Sequence, residues 1–245
     1  EGMTLLRRQV RADGAMAREV VMDDSVCDCC APSLVSVADG SMVAVYRHRS
    51  QQNIRDVYLT RRDPRDGVWS EPAAVHEDGW RLEGCPVSGP AAAAAGSTVA
   101  VAWLTRATDD GEAEIRVAFS RDGGVTCGAP IVLEHGATLG RIALAPVLAR
   151  PGDDRFVLAH LAVDPGEEAA AASPAASWRA AVVSADRGAS EFTLLGEVPS
   201  TRASGRLDLL YLVPGVLSAV WTGPAGLVKA EVRCADGRRD LDRSQ

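Results

Sequence analysis

Four short apolar runs recur along the chain: Val43-Ala44-Val45-Tyr46, Val99-Ala100-Val101-Ala102-Trp103, Val157-Leu158-Ala159-His160 and Leu217-Ser218-Ala219-Val220-Trp221. Counted end to end they lie roughly 57 to 61 residues apart, and three of the four close on an aromatic side chain. Segments of strand character, Asp56 to Arg61, Ile115 to Phe119 and Trp178 to Val183, fall between them, and each runs into a turn-rich string. Pro130 to Leu133 reads as a further short strand, while Asp39-Gly40 and Pro214-Gly215 mark tight hairpins. The pattern predicts an all-β chain of repeated antiparallel units.

The most informative turn is Ser120-Arg121-Asp122-Gly123-Gly124-Val125-Thr126, an S-x-D-x-G-x-T string between two strands. Asp122 is placed to accept hydrogen bonds from the turn amides, Gly123 and Gly124 can take positive φ, and the hydroxyls of Ser120 and Thr126 can tie down the ends. The role is structural, not catalytic. Ser184-Ala185-Asp186-Arg187-Gly188-Ala189-Ser190 repeats the skeleton after Trp178 to Val183, and Asp63-Pro64-Arg65-Asp66-Gly67-Val68-Trp69 is a looser third copy. Recurrence of a strand-and-turn unit at this spacing is the signature of a β-propeller.

These strings resemble the Asp box of the BNR repeat in sialidase-type β-propellers, although Cys127 stands where an aromatic usually follows the threonine. The resemblance implies four-stranded antiparallel blades with the box between third and fourth strands. Residues Leu34 to Val75, Ala91 to Leu133 and Ile142 to Val198 then form three blades, and Leu207 to Cys234 supplies three strands of a fourth. Leu5 to Val10 and Arg18 to Met22, joined by Arg11-Ala12-Asp13-Gly14, read as the last strands of another blade. Residues 1–245 are thus expected to be a single propeller domain. It is either a closed four-bladed ring or, as the resemblance favours, part of a six-bladed one lacking its first blades.

Composition narrows the function classes. A net charge of −7 with scattered arginines argues against a nucleic-acid partner. No apolar run approaches the roughly 20 residues that cross a bilayer, and the start shows no signal-peptide pattern. Glu1 is not an initiator, so the sequence reads as processed or excised. Six cysteines, three of them in Cys27-Asp28-Cys29-Cys30, and the sialidase resemblance together point to the periplasm or the cell exterior. Oligomeric state leaves no trace.

Up-and-down strand order puts the boxes and the Asp39 and Pro214 hairpins on one face of the disc. Connections between blades and loops after second strands fall on the other. That second face is expected to gather Cys27, Cys29, Cys30, Cys85, Arg47, Arg49, Arg141 and Arg206, with His48, His76, His135 and His160 nearby. Sialidases hold a sugar carboxylate with three arginines, because a planar fork matches a carboxylate. The resemblance implies Arg141 and Arg206 as two of these and Arg47 or Arg49 as the third, against the alternative that they pair with Asp28, Asp56 or Asp208. It further implies an exo-alpha-sialidase-like glycoside hydrolase that recognises an acidic sugar. However, no Phe-Arg-Ile-Pro-like segment and no tyrosine nucleophile with a glutamate partner is legible.

The cysteines carry a rival reading, in which an exported propeller handles metal or redox chemistry, or serves only as a binding scaffold. Cys85, in the next inter-blade loop, is the natural partner of Cys29 or Cys30, and the Cys-x-Cys-Cys segment resembles that of a bacterial sialidase-like subgroup. A disulfide, a Cu or Zn site completed by His76 or His48, and free thiols all remain open. Cys127 and Cys234 are expected to be small buried hydrophobes.

Overall fold

The computed structural model describes residues 3–108, 110–136, 138–163, 175–189, 192–198, 206–223 and 226–234. They form strands and turns, with no helix among them. β1 (Met3–Arg7) and β2 (Val20–Val26) make a hairpin whose far end is closed by a bridge between Val10 and Met16. Two four-stranded meanders follow: β3 (Ser33–Ser36), β4 (Met42–Arg47), β5 (Val57–Arg62), β6 (Ala73–His76), then β7 (Ala91–Ala95), β8 (Thr98–Thr105), β9 (Glu114–Ser120), β10 (Ile131–His135). The third sheet is β11 (Thr138–Pro146), β12 (Phe156–Val163) and β13 (Ala176–Ser184), against which both β14 (Gly188–Ala189) and β15 (Thr193–Val198) pair. β16 (Leu207–Val213), β17 (Val216–Gly223) and β18 (Gly226–Arg233) complete the order. Every pairing is antiparallel.

The blades stack because their second strands are apolar on both faces. Along β8, Val99, Val101 and Trp103 pack with Val43, Val45, Val57 and Leu59 of the preceding sheet, while Ala100 and Ala102 pack with Phe156 and Leu158 of the next. Since side chains alternate in a strand, one element serves two cores. Alanines on β7 and β11 let the first strands approach closely, and β3, β7, β11 and β16 neighbour one another in sequence order, as around a propeller axis. β1–β2 and β16–β18 are separate sheets and do not pair with each other among the described residues.

The S-x-D-x-G-x-T turn joins β9 to β10. Asp122 Oδ1 accepts from the amides of Val125 at 3.0 Å and Thr126 at 2.9 Å, and Oδ2 accepts from Thr126 Oγ1 at 2.6 Å. Ser120 Oγ lies 2.7 Å from Asp122 Oδ1 and accepts from the Gly124 amide at 2.8 Å. With this many donors, the Asp122 pKa falls to about 2 even though partial burial opposes the shift. Gly124 has φ 89°, and a Cβ there would sit 2.6 Å from Val43 Cγ2, so only glycine fits. Asp186 occupies the matching turn between β13 and β14, beside buried Ser184 and Gly188 at φ 67°, and is ion-paired with Arg121. Arg61 ties this side of the disc together, donating to Asp39 Oδ2 at 2.8 Å and to the Gly123 carbonyl at 2.9 Å.

Two boundary expectations are corrected. β11 begins at Thr138 rather than Ile142, so Arg141 lies inside the strand, at a register shift between Gly140 and Ala143 where both Gly140 (φ 75°) and Arg141 (φ 54°) are left-handed. β4 extends to Arg47, a position expected in the loop that follows it.

Candidate functional site

On the face away from Asp122, the loops after β2 and β6 meet. Cys29 and Cys85 form a disulfide with Cα atoms 6.5 Å apart, joining residues separated by 56 positions. Cys27 and Cys30 are buried beside it, their sulfurs 2.9 Å from each other, and Cys27 Sγ is 3.7 Å from Cys29 Sγ. The four sulfurs all lie within 4.8 Å of one another. A hydrogen bond from Cys30 holds the Cys27 thiol at about 6, helped by the Cys29 amide and by the charges of Arg55 and Arg47 against the cost of burial. Cys30 is pushed far up for the converse reason, because its proton is engaged by Cys27 and it is itself buried.

Beneath these sulfurs lie two buried guanidinium groups. Arg47 is 1% exposed and donates to the carbonyls of Ser88 at 3.1 Å, Arg55 at 2.6 Å and Leu104 at 2.8 Å, with its Cζ 5.2 Å from the centre of the Trp80 ring. Each of its three nitrogens donates to a backbone carbonyl and the group is sealed from solvent, so the expectation of Arg47 as a carboxylate-binding arginine gives way to a structural one: it ties two loops to β8. Arg49, the other candidate, donates to Asn53 at 3.1 Å. Arg55 donates through Nη2 to the Gly84 carbonyl at 3.0 Å, whereas its Nε and Nη1 are buried without a hydrogen-bond partner.

Arg141 and Arg206 do share a space. A cleft of about 360 Å³ is lined by Ala31 to Ser33, Val87 to Ala92, Arg141 to Leu144 and Arg206 to Asp208. Burial lowers the Arg141 pKa and the Arg206 charge lowers it further, which places two like charges at one site. Ser88 Oγ, on the same wall, is buried without a hydrogen-bond partner. The left-handed pair at 140–141 is fitted to this wall: a Cβ on Gly140 would meet Ser88 Oγ at 2.6 Å. Asp208 is the carboxylate of the described lining.

The loops that carry the cysteines also form the cleft. Ala31 to Ser33 follows Cys30 directly, and Val87 to Ala92 follows Cys85. They touch so closely that a Cβ on Gly89 would come within 2.1 Å of the Ala31 carbonyl oxygen. The sequence points to Asp208 only as a partner for the arginines, and to Ser88 and Arg55 not at all, since an isolated serine or arginine in a loop carries no pattern. Gly84-Cys85-Pro86-Val87-Ser88-Gly89-Pro90 was the available signal.

The histidines are placed elsewhere. His48 Nδ1 is 3.0 Å from Asp23 and its ring stacks on Tyr58, while His76 Nδ1 is 2.8 Å from Asp78. Neither joins the sulfur cluster among the described residues. Asp78 is itself buried and also accepts from Trp103 Nε1 at 2.6 Å and Arg116 Nη1 at 2.6 Å, which anchors the outer edge of the blade core. His135 bridges Glu114 and Asp110. His160 does not end its strand as expected but lies inside β12, fully buried, with Nδ1 3.0 Å from Thr138 Oγ1 and its pKa lowered to about 4 by burial. Cys234 is buried in a blade core and Cys127 packs partly against another.

No family model matches the chain, and no curated protein matches it. Solved structures do. The Hadza microbial sialidase Hz136 is 18% identical, with a TM-score of 0.55 over 88% of this chain and 45% of that one. A Trypanosoma rangeli sialidase in complex with 2-keto-3-deoxy-D-glycero-D-galacto-2,3-difluoro-nononic acid is 14% identical, with a TM-score of 0.56 over 100% of this chain and 41% of that one. A mutant of NanB sialidase from Streptococcus pneumoniae is 8% identical, with a TM-score of 0.54 over 89% of this chain and 32% of that one. At these identities the likeness is one of fold: the chain has a sialidase-like β-propeller fold. It spans less than half the length of each of these proteins.

Proposed function

We propose that the cleft between Arg141 and Arg206 receives the carboxylate of an acidic sugar, as an exo-alpha-sialidase-like glycoside hydrolase fold would present it. The observation that carries the reading is the pairing itself. Two guanidinium groups, one within the first strand β11 and one immediately before the first strand β16, line one cleft although their charges repel, and Ser88 Oγ stands on the same wall with a hydrogen bond unmade. A carboxylate relieves the repulsion and accepts from both forks. One of the fold's neighbours is described in complex with a nononic acid, a ligand of this chemical class. The described lining includes one carboxylate, Asp208, and no tyrosine, so the reading is recognition; hydrolysis by this chain's described residues is not part of it.

The same reading takes Ser120-Asp122-Gly124-Thr126 and Ser184-Asp186-Gly188 as Asp boxes that keep the disc rigid beneath the cleft. It places the protein in an oxidising compartment outside the cytoplasm, where a Cys29–Cys85 disulfide persists. The test is titration with N-acetylneuraminic acid, followed by ligand-observed NMR, against a neutral hexose. Saturable binding of the acid alone, abolished by Arg141→Ala and by Arg206→Ala, supports the proposal. Equal binding of both sugars, or undiminished binding by either variant, rejects it.

A further inference from the structure

We infer that Cys27, Cys29, Cys30 and Cys85 form a four-thiolate site for a thiophilic d¹⁰ cation, Zn²⁺ or Cu⁺, which opens when the Cys29–Cys85 disulfide is reduced. The geometry is close to that of a tetrahedral thiolate centre. An ion bound at about 2.3 Å to each sulfur holds the sulfurs roughly 3.8 Å apart, and here all four already lie within 4.8 Å of one another, with Cys27 and Cys29 at 3.7 Å. Cys27, Cys29 and Cys30 come from one loop and Cys85 from the next, the two-segment arrangement by which such sites cross-link a fold. Three of the four are at least partly sheltered and Cys85 is exposed, which leaves one way in for a reductant and for an ion.

Charge supplies the second, independent observation. Four thiolates around Zn²⁺ carry a net charge of about −2, and Cu⁺ with three carries the same. Buried anions need buried counter-charge. Arg47 and Arg55, 1% and 3% exposed, lie near the cluster, and neither forms an ion pair with a carboxylate among the described residues. Arg47 is committed to carbonyls, but Arg55 retains a buried Nε and Nη1 without an acceptor. A disulfide is neutral and adds no counter-charge beside these two cations, whereas the metal–thiolate form brings about −2 to them.

The opening step balances with a dithiol reductant. Its thiolate attacks Sγ of exposed Cys85, the Cys29–Cys85 bond breaks and Cys29 leaves as a thiolate. The reductant's second thiol then displaces Cys85 and the reductant becomes a disulfide. Binding of the ion releases the protons still held by the coordinating thiols.

The test uses the whole chain, reduced and freed of reductant without oxygen. One arm titrates Zn²⁺ against a chromophoric chelator, another Cu⁺ against a Cu⁺-specific chelator, and a third adds Co²⁺ and reads the intense visible bands of tetrahedral thiolate coordination. One equivalent is expected in the Zn²⁺ or Cu⁺ arm, unchanged in Cys127→Ser/Cys234→Ser and lost in Cys27→Ser/Cys85→Ser. Arg55→Gln keeps the ligands and is expected to bind roughly 10- to 100-fold more weakly, as for other partners outside the ligand set. No stoichiometric uptake of either ion, or equal uptake after Cys27→Ser/Cys85→Ser, overturns the inference. Near-UV circular dichroism is recorded before titration. If reduction has loosened the fold, the ion must restore it, and failure to do so also overturns the inference.

Discussion

The two faces of the disc spend their polar groups in opposite ways. On the turn face, Ser120, Asp122, Gly124 and Thr126 satisfy one another within four residues of sequence. On the loop face, Arg47 reaches Ser88 and Leu104, 41 and 57 residues away, and buried atoms of Arg55 and Ser88 have no partner. Local saturation builds a rigid turn with nothing left to offer a ligand. Long-range assembly with unmet hydrogen bonds leaves chemistry available, and this distinguishes scaffold from site more sharply than residue type does.

The largest way to break the comparison is to cut the long-range staple. Closing a loop of 56 residues is worth about 4 kcal/mol under the chain-entropy account, so Cys29→Ser/Cys85→Ser should lose about that much stability without reductant. Denaturant unfolding measures it, and a loss no greater than that of Cys127→Ser would show that the loops are held by packing alone.

A buried titratable group inside β12 gives the next effect. The folded His160 pKa of about 4 is depressed below its ordinary value of 6.5, so its contribution is complete above pH 6.5 and is lost as pH falls toward 4. The full difference corresponds to about 3 kcal/mol at most. His160→Phe should flatten the acid limb of a melting-temperature profile between those values, and an unchanged slope would assign the acid sensitivity to other groups.

Asp122→Ala comes third. Unpaired turn amides should cost about 1 to 3 kcal/mol by thermal unfolding, while sugar binding at the cleft stays within error. A selective loss of binding would erase the distinction between the faces.

The smallest stability change should come with the largest functional one. Arg141 is left-handed at φ 54°, so Arg141→Gly removes a backbone strain of about 1 kcal/mol that offsets what is lost with the side chain, and the net change in stability should be small. It should nonetheless abolish binding of the acidic sugar. Clear destabilisation, with binding retained, would make Arg141 a scaffold residue.

The blade layout was legible because its causes are local. Apolar runs such as Val99 to Trp103 and turn strings such as Ser120 to Thr126 dictate strand and hairpin wherever they occur, and the starts and ends of the blades moved by only a few residues. The meeting of Cys29 with Cys85 followed from strand parity. What could not be read was depth. Arg47 and Arg141 look alike as arginines beside strands, yet one is sealed under Trp80 and the other sits at a bulge in a cleft, a difference set by β4 running longer and by the shift at Gly140. Ser88 and Arg55 escaped notice because an unmade hydrogen bond is a property of the surroundings, not of the residue.

β8 is, in effect, a party wall. Its odd-numbered side chains furnish one room and its even-numbered ones the next, so neither neighbour can be stripped without damage to both. Cooperativity follows without any contact between distant blades, since each internal sheet must lose two cores at once in order to melt. Amide exchange along β8 and β12 should therefore report the stability of the array rather than of a blade.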